Sequence, residues 1–132
     1  MTPARARLNA NYRNLALWTL QGWLAMFFIA AGYAKITEPM VNLVTLLSWP
    51  AEADGGFVRA LGWVEALLAV GVLTPLISWR VGRPILLVAA AGLLALEAVM
   101  LGVHLLGADW ALAGVNVVLM IITAPVLWFR RS

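Results

Sequence analysis

The sequence contains no cysteine and very little charge. None of its 132 residues is Cys, and only 11% are Asp, Glu, Lys or Arg. Without a thiol, the chain itself cannot carry out thiol–disulfide exchange, bind a metal through thiolates or use a cysteine nucleophile. An average soluble domain is about 25% charged and about 45–50% apolar. The shortage of charge therefore argues against a water-soluble fold.

Apolar residues account for 64% of the chain. A helix needs about 20 apolar residues to cross a hydrocarbon core of about 30 Å. Four such segments are present, at about residues 14–34, 57–77, 84–106 and 110–129. Residues 1–132 therefore predict a single all-α domain, a four-helix transmembrane bundle in a lipid bilayer. Pro84 begins the third segment, and the first turn of a helix accepts proline.

A shorter apolar segment lies between the first two predicted spans. It covers about residues 39–50, and prolines bound it at both ends. It is too short to cross a bilayer, and its apolar residues roughly follow helical spacing. We therefore predict a short interfacial helix on the outer surface. A plain loop with some apolar residues is the alternative.

Lys and Arg are distributed unevenly between the two sides of the predicted bundle. Lys35 and Arg59 lie on one side, and the other seven basic residues lie at the termini and in the second loop. By the positive-inside rule, both termini are predicted to lie in the cytoplasm. Basic residues at the ends of apolar segments indicate orientation, so no nucleic-acid partner is predicted.

Polar side chains occur at similar depths in three of the predicted spans. Glu65 lies eight residues and Glu97 nine residues from the outer ends of their spans, which places both about 12–14 Å below the outer boundary. Asn116 lies about 9 Å deep by the same rise. A charged residue inside a span costs a few kcal/mol, which makes it a candidate functional residue.

Further polar groups lie nearer to the predicted outer surface. Tyr33 and Lys35 end the first span, and His104 follows Glu97 by seven residues, on the same helix face. Lys35 starts about 12 Å above the carboxylates and either reaches down to one of them or extends up to water. The polar layer is either a functional cavity or a set of structural contacts that includes a Lys35–Glu65 ion pair.

Several short motifs resemble the DoxX-like integral membrane protein family. They are Ala31–Ile36, Leu61–Ala66, Gly71–Pro75 and Met100–Leu105, within a resemblance that covers about residues 20–131. The resemblance implies a multi-pass protein of the bacterial plasma (inner) membrane with Lys35, Glu65 and His104 at characteristic polar positions. Some relatives are subunits of thiosulfate:quinone oxidoreductases, and others form membrane complexes with enzymes that handle oxidative stress and sulfur.

Together these observations predict a site with two groups of residues and no metal. We assign proton-transfer chemistry to Glu65, Glu97 and His104, and substrate binding to Lys35, Tyr33, Asn116 and Trp63. In the first hypothesis, the chain is a membrane redox-associated accessory subunit of a quinone-linked oxidoreductase. It holds a non-covalently bound quinone or another lipophilic substrate in an outer-half polar cavity, and its electrons come from a partner.

Two alternatives remain. The chain is either a non-catalytic scaffold or a small proton-coupled transporter of hydrophobic cations. The scaffold would assemble as a homo-oligomer or with a membrane or soluble enzyme partner, and its docking surface would be the segment from Met40 to Trp49 with the acidic turn that follows. Exporters of the second kind often assemble as antiparallel dimers, which requires a weak orientation bias, whereas this chain has seven basic residues on one side and two on the other. Whether the chain is itself an enzyme is left open.

Overall fold

The computed structural model describes residues 2–47 and 49–131, which form helices joined by short connections. The helices are α1 (Pro3–Thr37), α2 (Met40–Leu47), α3 (Gly55–Leu73), α4 (Trp79–Leu106) and α5 (Trp110–Arg130), with 3-10 turns at Trp49–Glu52 and Thr74–Leu76. Four helical segments are long and apolar enough to cross a membrane: α1, α3 with the turn that follows it, α4 and α5. The predicted all-helical class is confirmed for the described residues. Ser48 of the predicted outer segment, and residues 1 and 132 of the predicted domain, lie outside them.

Two helices begin earlier than the apolar segments because polar residues cap them. Thr2 Oγ1 accepts a hydrogen bond from the Arg5 N–H at 3.2 Å, so α1 begins well before residue 14. Its first buried side chain is Leu17, and the additional turns are exposed. Ser78 Oγ accepts from the Val81 N–H at 3.4 Å and starts α4 at Trp79. Pro84 therefore lies inside α4, and the prediction that it occupies the first turn is wrong.

The α-helical part of the second span ends earlier than predicted because of Pro75. Proline has no N–H for an α-helical hydrogen bond, so α3 ends at Leu73 and residues 74–76 form a 3-10 turn. The Thr74 hydroxyl lies 2.7 Å from the carbonyl oxygen of Gly71 and 3.1 Å from that of Gly82. This hydroxyl therefore joins the end of α3 to the first turns of α4.

The four long helices enclose an apolar core and present apolar side chains to their surroundings. Leu24, Val72, Leu86, Leu93 and Val126 are completely buried within the core. On the outside, large apolar side chains are widely exposed on all four helices. Lipid tails are as apolar as a protein core, so apolar side chains gain little by leaving lipid for the space between helices. Close packing and hydrogen bonds between helices must therefore hold the bundle together.

At one end of the bundle, which we call the terminus end, polar side chains join all four long helices. Arg130 of α5 donates from Nε to Gln21 Oε1 at 2.8 Å and from Nη1 to Asn14 Oδ1 at 2.7 Å, both on α1. Gln21 Nε2 donates to the carbonyl oxygen of Val72 on α3 at 3.1 Å. Arg83 Nε of α4 donates to the carbonyl oxygen of Arg130 at 2.8 Å.

At the opposite end, which we call the α2 end, the backbones of α1 and α3 touch at Gly32 and Gly62. A Cβ atom on Gly32 would lie 2.6 Å from the carbonyl oxygen of Gly62, and one on Gly62 would lie 2.7 Å from Lys35 Cβ. Both distances are too short for a side chain, so this close approach requires glycine, as in many membrane helix pairs. Lys35 and Glu65 each follow one of these glycines by three residues. The contact therefore brings the two charged side chains close together.

Gly62→Ala is expected to destabilise the bundle by about 1–3 kcal/mol, the usual cost of overpacking. The added methyl group would overlap Lys35 Cβ and the carbonyl oxygen of Gly32. Gly114→Ala on α5 is the matched control, because nothing lies within 4 Å of its Cβ position. Alanine also favours a helix over glycine by about 1 kcal/mol. Thermal unfolding in detergent measures both variants, and equal melting temperatures would contradict the close contact.

Candidate functional site

A cavity of about 160 Å³ lies among the helices at the α2 end. Most of its wall comes from α1, α2, α4 and α5, with single residues from α3 and the 3-10 turn that follows α2. The wall is mainly apolar and includes Phe28, Leu43, Leu96 and Leu119. Ligand sites for small molecules have this character, an apolar wall with a few placed polar groups.

Five of the seven predicted site residues line this cavity. They are Lys35 from α1, Glu65 from α3, Glu97 and His104 from α4, and Asn116 from α5. Each is at most 8% exposed. Residues that lie up to 81 positions apart in the sequence therefore face one space. Polar groups buried in this way are costly unless they have partners, so their hydrogen bonds decide what the cavity can do.

The other two predicted site residues, Tyr33 and Trp63, lie on the outside of the bundle. Tyr33 is 67% exposed and Trp63 is 58% exposed, and neither lines the cavity. Each lies two residues before a cavity residue, Lys35 or Glu65. Two residues correspond to a rotation of about 200° around a helix, so these aromatic side chains point away from the cavity.

Lys35 reaches a carboxylate and does not extend to water. Its Nζ lies 2.8 Å from Glu65 Oε2 and 3.1 Å from Glu65 Oε1. The expected separation of about 12 Å along the bundle is too large, because Lys35 Cβ lies beside Gly62, one turn from Glu65. In the first turns of α3, Arg59 Nη1 donates to the carbonyl oxygen of Lys35, in the last turn of α1, at 2.8 Å.

Glu97 has a neutral partner in place of a cation. Its Oε1 lies 2.7 Å from the hydroxyl of Thr123 on α5, and that hydroxyl also lies 2.7 Å from the carbonyl oxygen of Leu119. Glu97 Oε2 is buried and has no hydrogen-bond partner. Among the side chains that the structure describes, Lys35 with Glu65 forms the only salt bridge. Glu97, a residue of the cavity wall, therefore has one carboxyl oxygen without a partner among the described residues.

His104 borders both this cavity and a second one at the α2 end. The second cavity shares Leu47, Trp49 and His104 with the first and includes Asp109. A tight turn brings Asp109 back to α4, where its N–H donates to the His104 carbonyl oxygen at 2.9 Å. Ala108 makes this turn with φ at 54°. His104 is thus the titratable side chain that the two cavities share.

Some of the apolar side chains that line the cavity are also exposed on the outside of the bundle. Phe27 of α1 and Val115 of α5 both line the cavity, yet each is 41% exposed. Leu46 of α2, which also lines it, is 65% exposed. Arg130 joins α1 to α5 only at the terminus end. At the α2 end, this side of the cavity therefore lies next to the apolar outer surface of the bundle.

Sequence reasoning missed Thr123, which the structure places against Glu97. A signal for it exists, because Thr123 follows Asn116 by seven residues, the spacing that relates His104 to Glu97. Seven residues make two helical turns and return to the same face. Among the described residues, no three His, Asp or Glu side chains form a group able to hold a metal ion.

A model of the DoxX-like family matches residues 19–126. No curated protein and no solved structure matches the chain. The matched region contains every polar residue that lines the cavity, as well as Thr123.

Removing one member of the buried ion pair is expected to lower the free energy of unfolding more than removing both members does. Glu65→Leu leaves the Lys35 ammonium without its partner, and loss of one partner from a buried pair typically costs about 3–5 kcal/mol. The double variant Lys35→Met, Glu65→Leu replaces both charges with apolar groups and is expected to recover most of this loss. Unfolding of the two single variants and the double variant in detergent gives the coupling energy. Additive losses would contradict a coupled pair.

Proposed function

Because the chain belongs to the DoxX-like family and is a multi-pass membrane protein, we propose that its cavity binds a quinone and that it serves as an accessory subunit of a quinone-linked oxidoreductase. The observation that carries this proposal is an apolar cavity that has buried polar groups on its wall and exposed apolar side chains, Phe27 and Val115, on one side. A ligand dissolved in lipid can enter such a cavity directly. Its polar head then meets Glu97, Asn116 and the Lys35–Glu65 pair.

The size of the cavity favours a ligand head with one ring. An engineered apolar cavity of about 150 Å³ binds one benzene molecule, and the cavity here has about 160 Å³. A benzoquinone head consists of one ring with two carbonyl oxygens, which matches this space. The two fused rings of a naphthoquinone require more. The isoprenoid tail of the quinone would leave between Phe27 and Val115.

The polar residues supply what quinone reduction requires. Reduction takes up two protons with two electrons, and imidazole and carboxyl groups are the usual proton carriers. His104 borders both cavities, so protons from the surface at the α2 end would reach the first cavity past its ring. Electrons come from a partner enzyme in this proposal, and the scaffold function is the alternative that the experiments below can distinguish.

Both termini lie in the cytoplasm in this proposal, and α2 lies at the outer surface of the bacterial plasma membrane. The seven basic residues of the termini and second loop support this orientation by the positive-inside rule. Lys35, one of the two basic residues on the other side, is neutralised by Glu65. The cavity and His104 then face the side of the membrane away from the cytoplasm.

The orientation can be tested cleanly because the chain contains no cysteine. We expect Ala53→Cys, in the connection before α3, to react with a membrane-impermeant maleimide in intact spheroplasts. Arg7→Cys, on the exposed start of α1, is expected to react only after the membrane is permeabilised. The reverse pattern would overturn the orientation, and labelling of both sites in intact spheroplasts would indicate mixed orientations, as a dual-topology exporter requires.

Filling the cavity is expected to weaken quinone binding at least tenfold. Ala31 lines the cavity, so Ala31→Leu places additional carbon atoms in a space that holds about one ring. Ala30→Leu is the matched control, because Ala30 is exposed on the same helix. Quenching of tryptophan fluorescence by a single-ring quinone measures the affinity, with Trp49 in the cavity wall as the nearest reporter.

The controls separate this function from a scaffold. If the two leucine variants and the unmodified protein bind quinone equally, the cavity is not the quinone site. If the protein binds no quinone but copurifies with an enzyme whose activity Ala31→Leu leaves unchanged, the scaffold function replaces the proposal.

A further inference from the structure

Thr123 has more hydrogen-bond contacts than its single hydroxyl hydrogen can serve. Its Oγ1 lies 2.7 Å from the Leu119 carbonyl oxygen and 2.7 Å from Glu97 Oε1. A threonine hydroxyl carries one hydrogen, and a carbonyl oxygen carries none. If the hydroxyl donates to Leu119, the contact with Glu97 needs a hydrogen on the carboxyl group. A neutral Glu97 satisfies both contacts at once.

The surroundings of Glu97 are consistent with a neutral acid. The charged and titratable groups that line its cavity are Lys35 on α1, Glu65 on α3 and His104 on α4 itself, whereas α5 contributes only uncharged side chains. Both carboxylate oxygens of Glu65 bind the Lys35 ammonium. An ionised Glu97 would be a second carboxylate in the same cavity, 1% exposed, without a cation. Burying an unpaired charge in this way is costly.

We propose that Glu97 is a neutral carboxylic acid whose free Oε2 forms the hydrogen bond to an oxygen of the ligand head, and that Thr123 is the positioning residue for this bond. Oε2 is buried and has no partner, and Glu97 belongs to the cavity wall. The ligand contact rests on the proposed function. The neutral state of Glu97 does not, because its support comes from contacts within the protein.

A neutral carboxyl group can present Oε2 in two ways. With the Thr123 hydroxyl turned to Leu119, Glu97 donates from Oε1 to Thr123, and Oε2 accepts a hydrogen bond from a hydroquinone hydroxyl. With the Thr123 hydroxyl turned to Oε1, the proton resides on Oε2, which donates to a quinone carbonyl. Rotation of the carboxyl group exchanges the two arrangements. The site therefore fits the oxidised and reduced forms of one ligand without any change in net charge.

Infrared spectroscopy of the ligand-free protein tests the neutral state directly. We expect the C=O stretching band of a protonated carboxyl group, and we expect it to disappear in Glu97→Gln. Thr123→Val should shift the band to higher frequency because a hydrogen bond is lost, whereas Thr123→Ser should leave it in place. The control is Thr19→Val on the exposed face of α1, since Thr19 makes the same kind of bond to its own helix, to Leu15 at 2.9 Å.

Ligand binding tests the contact at Oε2. Glu97→Leu removes the hydrogen bond and is expected to weaken binding of a single-ring quinone and of its hydroquinone by about fivefold to tenfold, the worth of one neutral hydrogen bond. Glu97→Gln keeps a neutral group that can accept and donate, so its affinities should stay closer to those of the unmodified protein.

Each result decides one part of the proposal. A protonated band that is absent, or that survives in Glu97→Gln, would overturn the neutral state. An unshifted band in Thr123→Val would overturn the role of Thr123. Unchanged affinity in Glu97→Leu would overturn the ligand contact alone. If the unmodified protein binds neither form of the quinone, the proposed function fails and the ligand contact fails with it, while the ligand-free spectra still decide the charge of Glu97.

Discussion

A buried ion pair between membrane helices needs its two side chains held at one level, and here the backbone contact of Gly32 with Gly62 does so. Lys35 and Glu65 follow these glycines by one turn and meet at 2.8 Å. Because the Lys35 ammonium binds both oxygens of Glu65, it is not free to neutralise Glu97. The charges of Lys35 and Glu65 are thereby balanced within the cavity, whereas Glu97, on the side formed by α4 and α5, is paired with the Thr123 hydroxyl and not with a cation.

Hydrogen bonds at the terminus end hold the helices together at the end of the bundle opposite the cavity. Arg130 and Gln21 join α5, α1 and α3 there, and Arg83 adds α4. In lipid, helices gain little from the hydrophobic effect, so such hydrogen bonds and close packing determine which pairs of helices stay in contact. Among the described residues, the hydrogen bonds between α1 and α5 lie at that end. At the other end, Phe27 of α1 and Val115 of α5 line the cavity and are partly exposed.

Hydropathy alone predicts the four long helices, because a bilayer demands apolar segments of one length. It does not predict their ends, which depend on individual residues such as Thr2, Ser78 and Pro75. Helical rise and rotation bring Glu65, Glu97, His104 and Asn116 to one region, and the same rotation, applied to Tyr33 and Trp63, turns both away from it. What a single sequence cannot supply is how each helix is rotated against its neighbours. That rotation places Lys35 beside Glu65 and Thr123 beside Glu97.

The distribution of charge in the cavity bears on which ligand it suits. A transporter of hydrophobic cations needs a carboxylate that is free to bind the cation. Glu65 already binds Lys35, and a neutral Glu97 offers a hydrogen bond in place of a charge. A cationic ligand would have to displace an ammonium group that is covalently attached to the protein and already in place. A quinone and its hydroquinone are both uncharged, so neither has to disturb the pair. The ion pair that fixes α1 against α3 therefore also favours a neutral ligand over a cation.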